Sequence, residues 1–211
     1  MVSPDFKRKE ELLQFLKCSE DDISKLFRKA ESIISYVDSQ IGGKDYWQVS
    51  YSELSWLYSL VCLMSAKKVA ETGVGPGSTS FAILSVLKLD NGKLYSFDKG
   101  ERYGEAEPKP VGFLVPEKLR KSWSLVLGDS KNTLKNVLEK NAPFDIFFHD
   151  SEHTYEHVTF ELETALPYLN KRFAIVIDNY DWTEAPKDFS KKHNLLLLPM
   201  VDDMCFLLPG I

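Results

Sequence analysis

The chain is poor in sulfur, has no long apolar run and carries no excess of positive charge. Its three cysteines, Cys18, Cys62 and Cys205, are odd in number, scattered and without metal-ligand spacing. That argues against a disulfide framework or a structural zinc site and for reduced thiols in the cytoplasm. No stretch of about 18 apolar residues occurs, which argues against a membrane span. The N-terminal Met1-Val2-Ser3-Pro4-Asp5-Phe6-Lys7-Arg8 lacks the apolar core of a secretory signal. With 26 Lys and Arg against 31 Asp and Glu, the net charge of −5 disfavours nucleic acid as the main ligand. Neither an internal repeat nor a low-complexity run is present. What remains is 211 residues of ordinary globular composition, enough for one sizeable domain. A homo-oligomer is compatible with these features, but none of them specifies one.

Apolar periodicity organises the chain. Ile23, Leu26, Phe27, Ala30, Ile33, Ile34 and Val37 recur at steps of three and four, predicting an amphipathic helix from Ser19 to Ile41. Ser19 and the acids after it supply the start, and Gly42-Gly43 the stop. A second helix is predicted from Ser52 to Ser65. Short apolar runs then alternate with helical ones: strands at 69–70, 94–97, 124–127, 144–148 and 173–177, and helices at 78–87, 130–140, 155–169 and 184–192. This alternation predicts an α/β fold with a doubly wound, mostly parallel, seven-stranded sheet. Leu195–Leu198 and Cys205–Leu208 flank a segment too short for a crossover helix, so the sheet should close with an antiparallel hairpin. Residues 1–50 are expected to form a helical extension or cap and 51–211 the α/β domain. Residues 100–121 hold three prolines where a crossover helix is expected, and read as either a lid or plain connection.

Five of the predicted strands end in an acid. The first leads into Glu71-Thr72-Gly73-Val74-Gly75-Pro76-Gly77-Ser78, a glycine turn opening a helix. Such a turn lets a ligand approach the backbone and presents free helix N–H groups. Ser78 replaces the third glycine of the dinucleotide fingerprint, and Glu71 would repel a pyrophosphate but suit a ligand bearing an ammonium and a sulfonium. Asp98, 21 residues beyond Gly77, can accept from ribose hydroxyls. Asp129 can accept from an adenine amino group, cap the helix starting at Ser130, or do both.

Together these residues resemble the cofactor motifs of class I, Rossmann-like S-adenosylmethionine methyltransferases, over roughly Tyr51 to Ile211. The resemblance implies that Glu71, Gly73, Gly75, Gly77, Ser78, Asp98, Asp129 and Ser130 bind S-adenosylmethionine.

A second acidic group follows the fourth and fifth strands: His149-Asp150-Ser151-Glu152-His153-Thr154-Tyr155 and Asp178-Asn179-Tyr180. If those strands are neighbours, Asp150, Asp178 and Asn179 meet at one sheet edge. There they either cap helices and stay solvated, or hold a hard cation such as Mg²⁺. This part resembles the cation-dependent small-molecule O-methyltransferases, in which such residues hold Mg²⁺; the resemblance assigns that role to Asp150, Asp178 and Asn179. The family's catalytic lysine falls on His153, and the Asp150-x-x-His153-x-Tyr155 form resembles the family-24-type methyltransferases, whose substrates are diverse. With an ordinary pKa near 6.5, His153 can take a hydroxyl proton, alone or with Asp150; it can equally well hydrogen-bond Asp150 or cap the next helix. His149, His157 and His193 match no motif position, and Glu152 and Asp145 read as structural or solvent-facing. Tyr46, Trp47, Trp56 and Tyr58 read as core more readily than as a substrate cage, whereas Tyr180 and Trp182 are candidates for a substrate wall.

The expected activity is methyl transfer to a hydroxyl of a small molecule. Its rivals are a metal-independent methyltransferase, a non-catalytic S-adenosylmethionine-binding protein and, least favoured, a nicotinamide oxidoreductase.

Overall fold

A computed structural model describes residues 8–101 and 103–210. Residues 1–7, which bear on the secretory-signal reading, lie outside the described residues. Three helices come first: α1 (Lys9–Leu16), α2 (Glu20–Ile41) and α3 (Tyr51–Leu63). The sheet region follows as β1 (Lys68–Thr72), α4 (Ser78–Leu87), β2 (Lys93–Asp98), β3 (Trp123–Leu127), α5 (Ser130–Asn141), β4 (Phe144–His149), α6 (Tyr155–Ala165), β5 (Leu169–Ile177), α7 (Ala185–Lys192), β6 (Leu195–Pro199) and β7 (Cys205–Pro209).

The strands form one seven-stranded sheet in the order β3-β2-β1-β4-β5-β7-β6, parallel from β3 to β5. β7 runs antiparallel to both β5 and β6, as expected for the closing hairpin. Strand order reverses between β1 and β4, and in open α/β sheets ligands bind in the crevice at such a switch point, beyond the carboxyl ends of the strands.

Helices cover both faces, so the central strands alternate between two hydrophobic layers rather than between core and water. Ile146, Phe148, Ala174 and Val176 pack with α1 to α4; Phe147, Ile175 and Ile177 pack with α5 to α7. Each fully buried large side chain contributes about 1.5–3 kcal/mol. In α2, Ile23, Ala30, Ile33, Val37 and Ile41 form the buried stripe, Ser19 and Asp22 close a capping box, and Gly42 ends the helix in a left-handed conformation.

Three details differ from expectation. A further helix, α1, precedes Ser19 and buries Leu12, Phe15 and Leu16. α6 stops at Ala165, because Leu166-Pro167-Tyr168 tightens into a 3₁₀ turn and β5 begins at Leu169. The 100–121 segment has no crossover helix but finishes in a 3₁₀ turn, Glu117–Ser122. Among the described residues, no helix is long and apolar enough to cross a membrane.

Candidate active site

A cavity of about 870 Å³ opens at the carboxyl ends of β1, β2, β4 and β5, between the glycine turn and the β6–β7 turn. Its first end is built by main chain. Val74 and Gly75 donate N–H groups to Asp98 Oδ2 at 3.0 and 3.1 Å, and Gly100 donates to Oδ1 at 2.7 Å. Asp98 thus braces the turn while facing the cavity, and with about four lone-pair sites a carboxylate can still accept one more donor. Gly73, Gly75, Ser78 and Ser130 also line this end.

Glu71, Gly77 and Asp129, expected to touch the cofactor, do not line the cavity. Glu71 is fully buried beneath the turn and accepts from Thr79 Oγ1 (2.6 Å), Ser80 Oγ (2.5 Å) and Ser96 Oγ (2.7 Å). Burial pushes its pKa up and the three hydroxyls oppose that, so the fold itself holds the carboxyl in place. A Cβ on Gly77 would stand 2.7 Å from Gly112 Cα, so this glycine serves the packing of the 100–121 segment. Asp129 accepts from Lys131 N–H at 2.8 Å and caps α5. The 100–121 segment is tied over the turn, with Gly112 N–H donating to Gly75 O and Leu114 N–H to Pro76 O, both at 2.9 Å.

The second end is acidic. Asp150, Asp178 and Asn179 line it, as does His153, and the neighbouring β4 and β5 bring them together. Two acids not anticipated among the ligands join them: Glu53 from the first turn of α3 and Asp203 from the β6–β7 turn. Asn179, in a left-handed conformation that asparagine tolerates, donates Nδ2 to Asp203 Oδ2 at 2.5 Å. Burial and Asp203 push Asp178 up to about 6; burial and Asp178 push Glu53 up to about 8. Asp150 is raised well above its usual range by burial and by Asp178. His153 Nε2 stands 3.9 Å from Asp150 Oδ1, and burial and His149 push His153 down to about 4.

A buried network centred on Glu161 adjoins this end, with Thr72, Ser151, His157 and Glu161 itself lining the cavity. Glu161, fully buried, accepts from Thr72 Oγ1 (2.5 Å) and Ser151 Oγ (3.0 Å) and hydrogen-bonds His149 Nδ1 (2.7 Å) and His157 Nε2 (2.9 Å). Burial alone would raise Glu161, but its bonds to the two histidines hold it below the usual carboxylate range. His193 pairs with Glu163 at 2.9 Å, away from the cavity, and Asp145 accepts from the Lys67 and Lys68 N–H groups.

Residues 70–180, just over half of the chain, match the family described as a methyltransferase domain. The chain belongs to that family.

Similar solved structures include a Bacillus cereus O-methyltransferase in complex with SAH (15% identity, TM-score 0.60, 95% of this chain and 96% of that one). Others are the O-methyltransferase TomG of tomaymycin synthesis from Streptomyces achromogenes, in complex with SAM (15%, 0.59, 91% of each chain), and the SAH-bound Podospora anserina methyltransferase PaMTH1 (16%, 0.57, 100% and 99%). At these identities the likeness is one of fold. A search of curated proteins by sequence gives no match.

The aromatic residues flanking the matched region divide by exposure. Tyr46 and Trp56 are core, Tyr46 packing edge-on against Phe113 at 5.1 Å. Trp47 and Trp182 are each 66% exposed and line the cavity, with Trp182 against His153 at 5.4 Å between ring centroids.

Glu53 and Asp203 were missed for identifiable reasons. Ser50-Tyr51-Ser52-Glu53 reads as a capping box, and a capping box does form, but it engages only one oxygen of Glu53. Asp203 is located by register: Cys205 pairs with Ile177, so the residues preceding Cys205 lie beside Asp178 and Asn179.

Proposed function

We propose that the chain is an S-adenosylmethionine-dependent O-methyltransferase acting on a hydroxyl of a small molecule, with a divalent cation held by Asp150, Asp178 and Asn179. The observation that carries this reading is one continuous cavity, large enough for a cofactor and a small acceptor, with a braced glycine turn at one end and acids short of donors at the other. Family membership and a fold shared with SAH- and SAM-bound O-methyltransferases support it.

The residues fit both groups. Asp98 has a lone-pair site free for a ribose hydroxyl, and Ser78 and Ser130 lie beside it. Asp178 is 7% exposed and its Oδ1 has no donor, an arrangement that a cation offsets. S-adenosylmethionine supplies a methyl group on an electrophilic sulfonium, and a divalent cation makes a bound hydroxyl more acidic.

The protein's part is to orient the acceptor and accept its proton. Trp47 and Trp182 give the acceptor apolar walls, and residues 45–50 help to enclose it. Residues 45–50, which lead into α3, thereby act as the substrate cover. His153 is neutral at pH 7 and, with its depressed pKa, a weaker base than a free histidine. In the cation-free protein Asp150, raised by burial and Asp178, is the stronger proton acceptor, and a proton there also relieves its repulsion with Asp178. With a cation bound, its ionised form is favoured and His153 is left to take the proton.

The test is S-adenosylhomocysteine release from S-adenosylmethionine across a panel of phenols, catechols and sugar hydroxyls, before and after EDTA. Turnover lost on chelation and restored by Mg²⁺ is the expected result. Unchanged turnover after chelation removes the cation and leaves Asp150 as the base; cofactor binding without turnover on any acceptor favours a binding protein.

A further inference from the structure

The acids at the reacting end form two sets rather than one. Among the described residues, one ligand atom each from Asp150, His153 and Asp178 lie within 4.8 Å of one another, and so do one each from Glu53, Asp178 and Asp203. Asp178 is common to both, but the five residues do not make a single group, so one ion cannot take them all as they stand. We propose that Glu53, Asp178 and Asp203 form a second divalent-cation site, bridged through Asp178 to a first ion held by Asp150 and its neighbours. This extends the cation half of the proposed function.

Beyond the clustering, two buried oxygens lack donors. Glu53 is 3% exposed and Asp178 7%. Glu53 Oε1 and Asp178 Oδ1 are each buried without a hydrogen-bond partner. An unpaired buried carboxylate oxygen is costly, and a hard cation satisfies it.

The tethers fix the rest. Ser50 N–H holds Glu53 Oε2 at 2.8 Å, leaving Oε1 for a ligand. Asn179 Nδ2 holds Asp203 Oδ2 at 2.5 Å, and Ser50 Oγ donates to Asp202 Oδ2 at 2.6 Å, locking the start of α3 to the β6–β7 turn.

Charge and geometry agree with two ions. Once deprotonated for metal binding, the four carboxylates of Glu53, Asp150, Asp178 and Asp203 are neutralised by two divalent cations, whereas one leaves a net double negative charge. A carboxylate can present its two oxygens to ions about 3.5–4 Å apart, the spacing of two-metal sites. Mg²⁺–oxygen bonds of about 2.0–2.1 Å put opposite ligands about 4.2 Å apart, compatible with these sets. The second set is all oxygen, which suits Mg²⁺, Ca²⁺ or Mn²⁺ and not zinc.

Mn²⁺ titrated into the metal-free full chain, with free ion read by electron paramagnetic resonance, tests the proposal. Two equivalents per chain and a spin-coupled signal are expected. Glu53→Gln and Asp203→Asn should each hold one equivalent and lose the coupling, while S-adenosylhomocysteine affinity measured by calorimetry stays within about twofold. Glu53→Gln keeps an acceptor for the capping box, and Asp203→Asn serves if the first variant fails to fold. One equivalent in the wild type, none at all, or two retained in both variants overturns the second site. Two coupled ions with no S-adenosylhomocysteine binding would uphold it and sink the methyltransferase reading instead.

Discussion

The two ends of the cavity contain acids at the same sheet edge, yet treat them oppositely. Around the glycine turn the acids are engaged by the protein's own donors: Glu71 by three hydroxyls, Asp98 by three main-chain N–H groups that leave one acceptor site open, Asp129 by one N–H of the helix it caps. At the reacting end Glu53 and Asp178 keep buried oxygens that no donor reaches. An acid whose bonds are made by its own chain is architecture. An acid left unpaired in a buried place is what the proposed cations would satisfy.

The strongest way to break that comparison is at the residue joining the two ends. A Cβ on Gly73, whose φ is +80°, would stand 1.6 Å from the Asp150 carbonyl oxygen. Gly73→Ala should therefore cost about 4 kcal/mol or more, roughly 10 °C in melting temperature, and abolish cofactor binding, as thermal denaturation and calorimetry would show. Next come two acid removals with opposite signs. Glu71→Ala strands buried hydroxyls and should destabilise by about 3 kcal/mol. Asp178→Asn relieves repulsion and should stabilise the cation-free protein by about 1 kcal/mol while cutting turnover about a hundredfold or more. Equal signs in denaturant titrations would erase the distinction.

A smaller effect is set by pH. Glu53 is raised from 4.5 to about 8, so the folded state holds its proton more tightly than the unfolded one. That contribution to stability is complete below 4.5 and is lost as pH rises to 8. His153 is lowered from 6.5 to about 4, so its contribution is complete above 6.5 and is lost as pH falls to 4. Between pH 6.5 and 8 the His153 contribution is complete while the Glu53 contribution is still being lost. The melting temperature in EDTA should fall by a few degrees across that window, and saturating Mn²⁺ should flatten the slope. The smallest expected change is for Asp129→Ala: loss of the α5 cap costs about 1 kcal/mol, with S-adenosylhomocysteine affinity unchanged by calorimetry.

Much of this was legible in the sequence. Apolar runs alternating with helical periods specified the sheet, and the lack of a crossover between Leu198 and Cys205 specified the hairpin. The pairing of β4 with β5 brings Asp150, Asp178 and Asn179 together, as the strand ends implied. What stayed hidden depends on direction and depth. The motif around Glu71 does not say whether its carboxylate faces the ligand or the core. The ordinary histidine pKa does not anticipate a value near 4 for a side chain enclosed beside His149. Glu53 was concealed by a capping signal that was itself correct, and Asp203 could be placed only once the β5–β7 register was known.

The bond from Ser50 to Asp202 spans 152 residues of sequence. Bringing together such distant parts of a chain carries a loop-closure entropy that local contacts do not. During synthesis the glycine turn, Asp98 and the parallel strands emerge well before residues 202 and 203. The mutual repulsion of Glu53, Asp178 and Asp203 is met only when the hairpin closes. The reacting end is therefore complete only when the β6–β7 turn, the last part of the site in chain order, is in place.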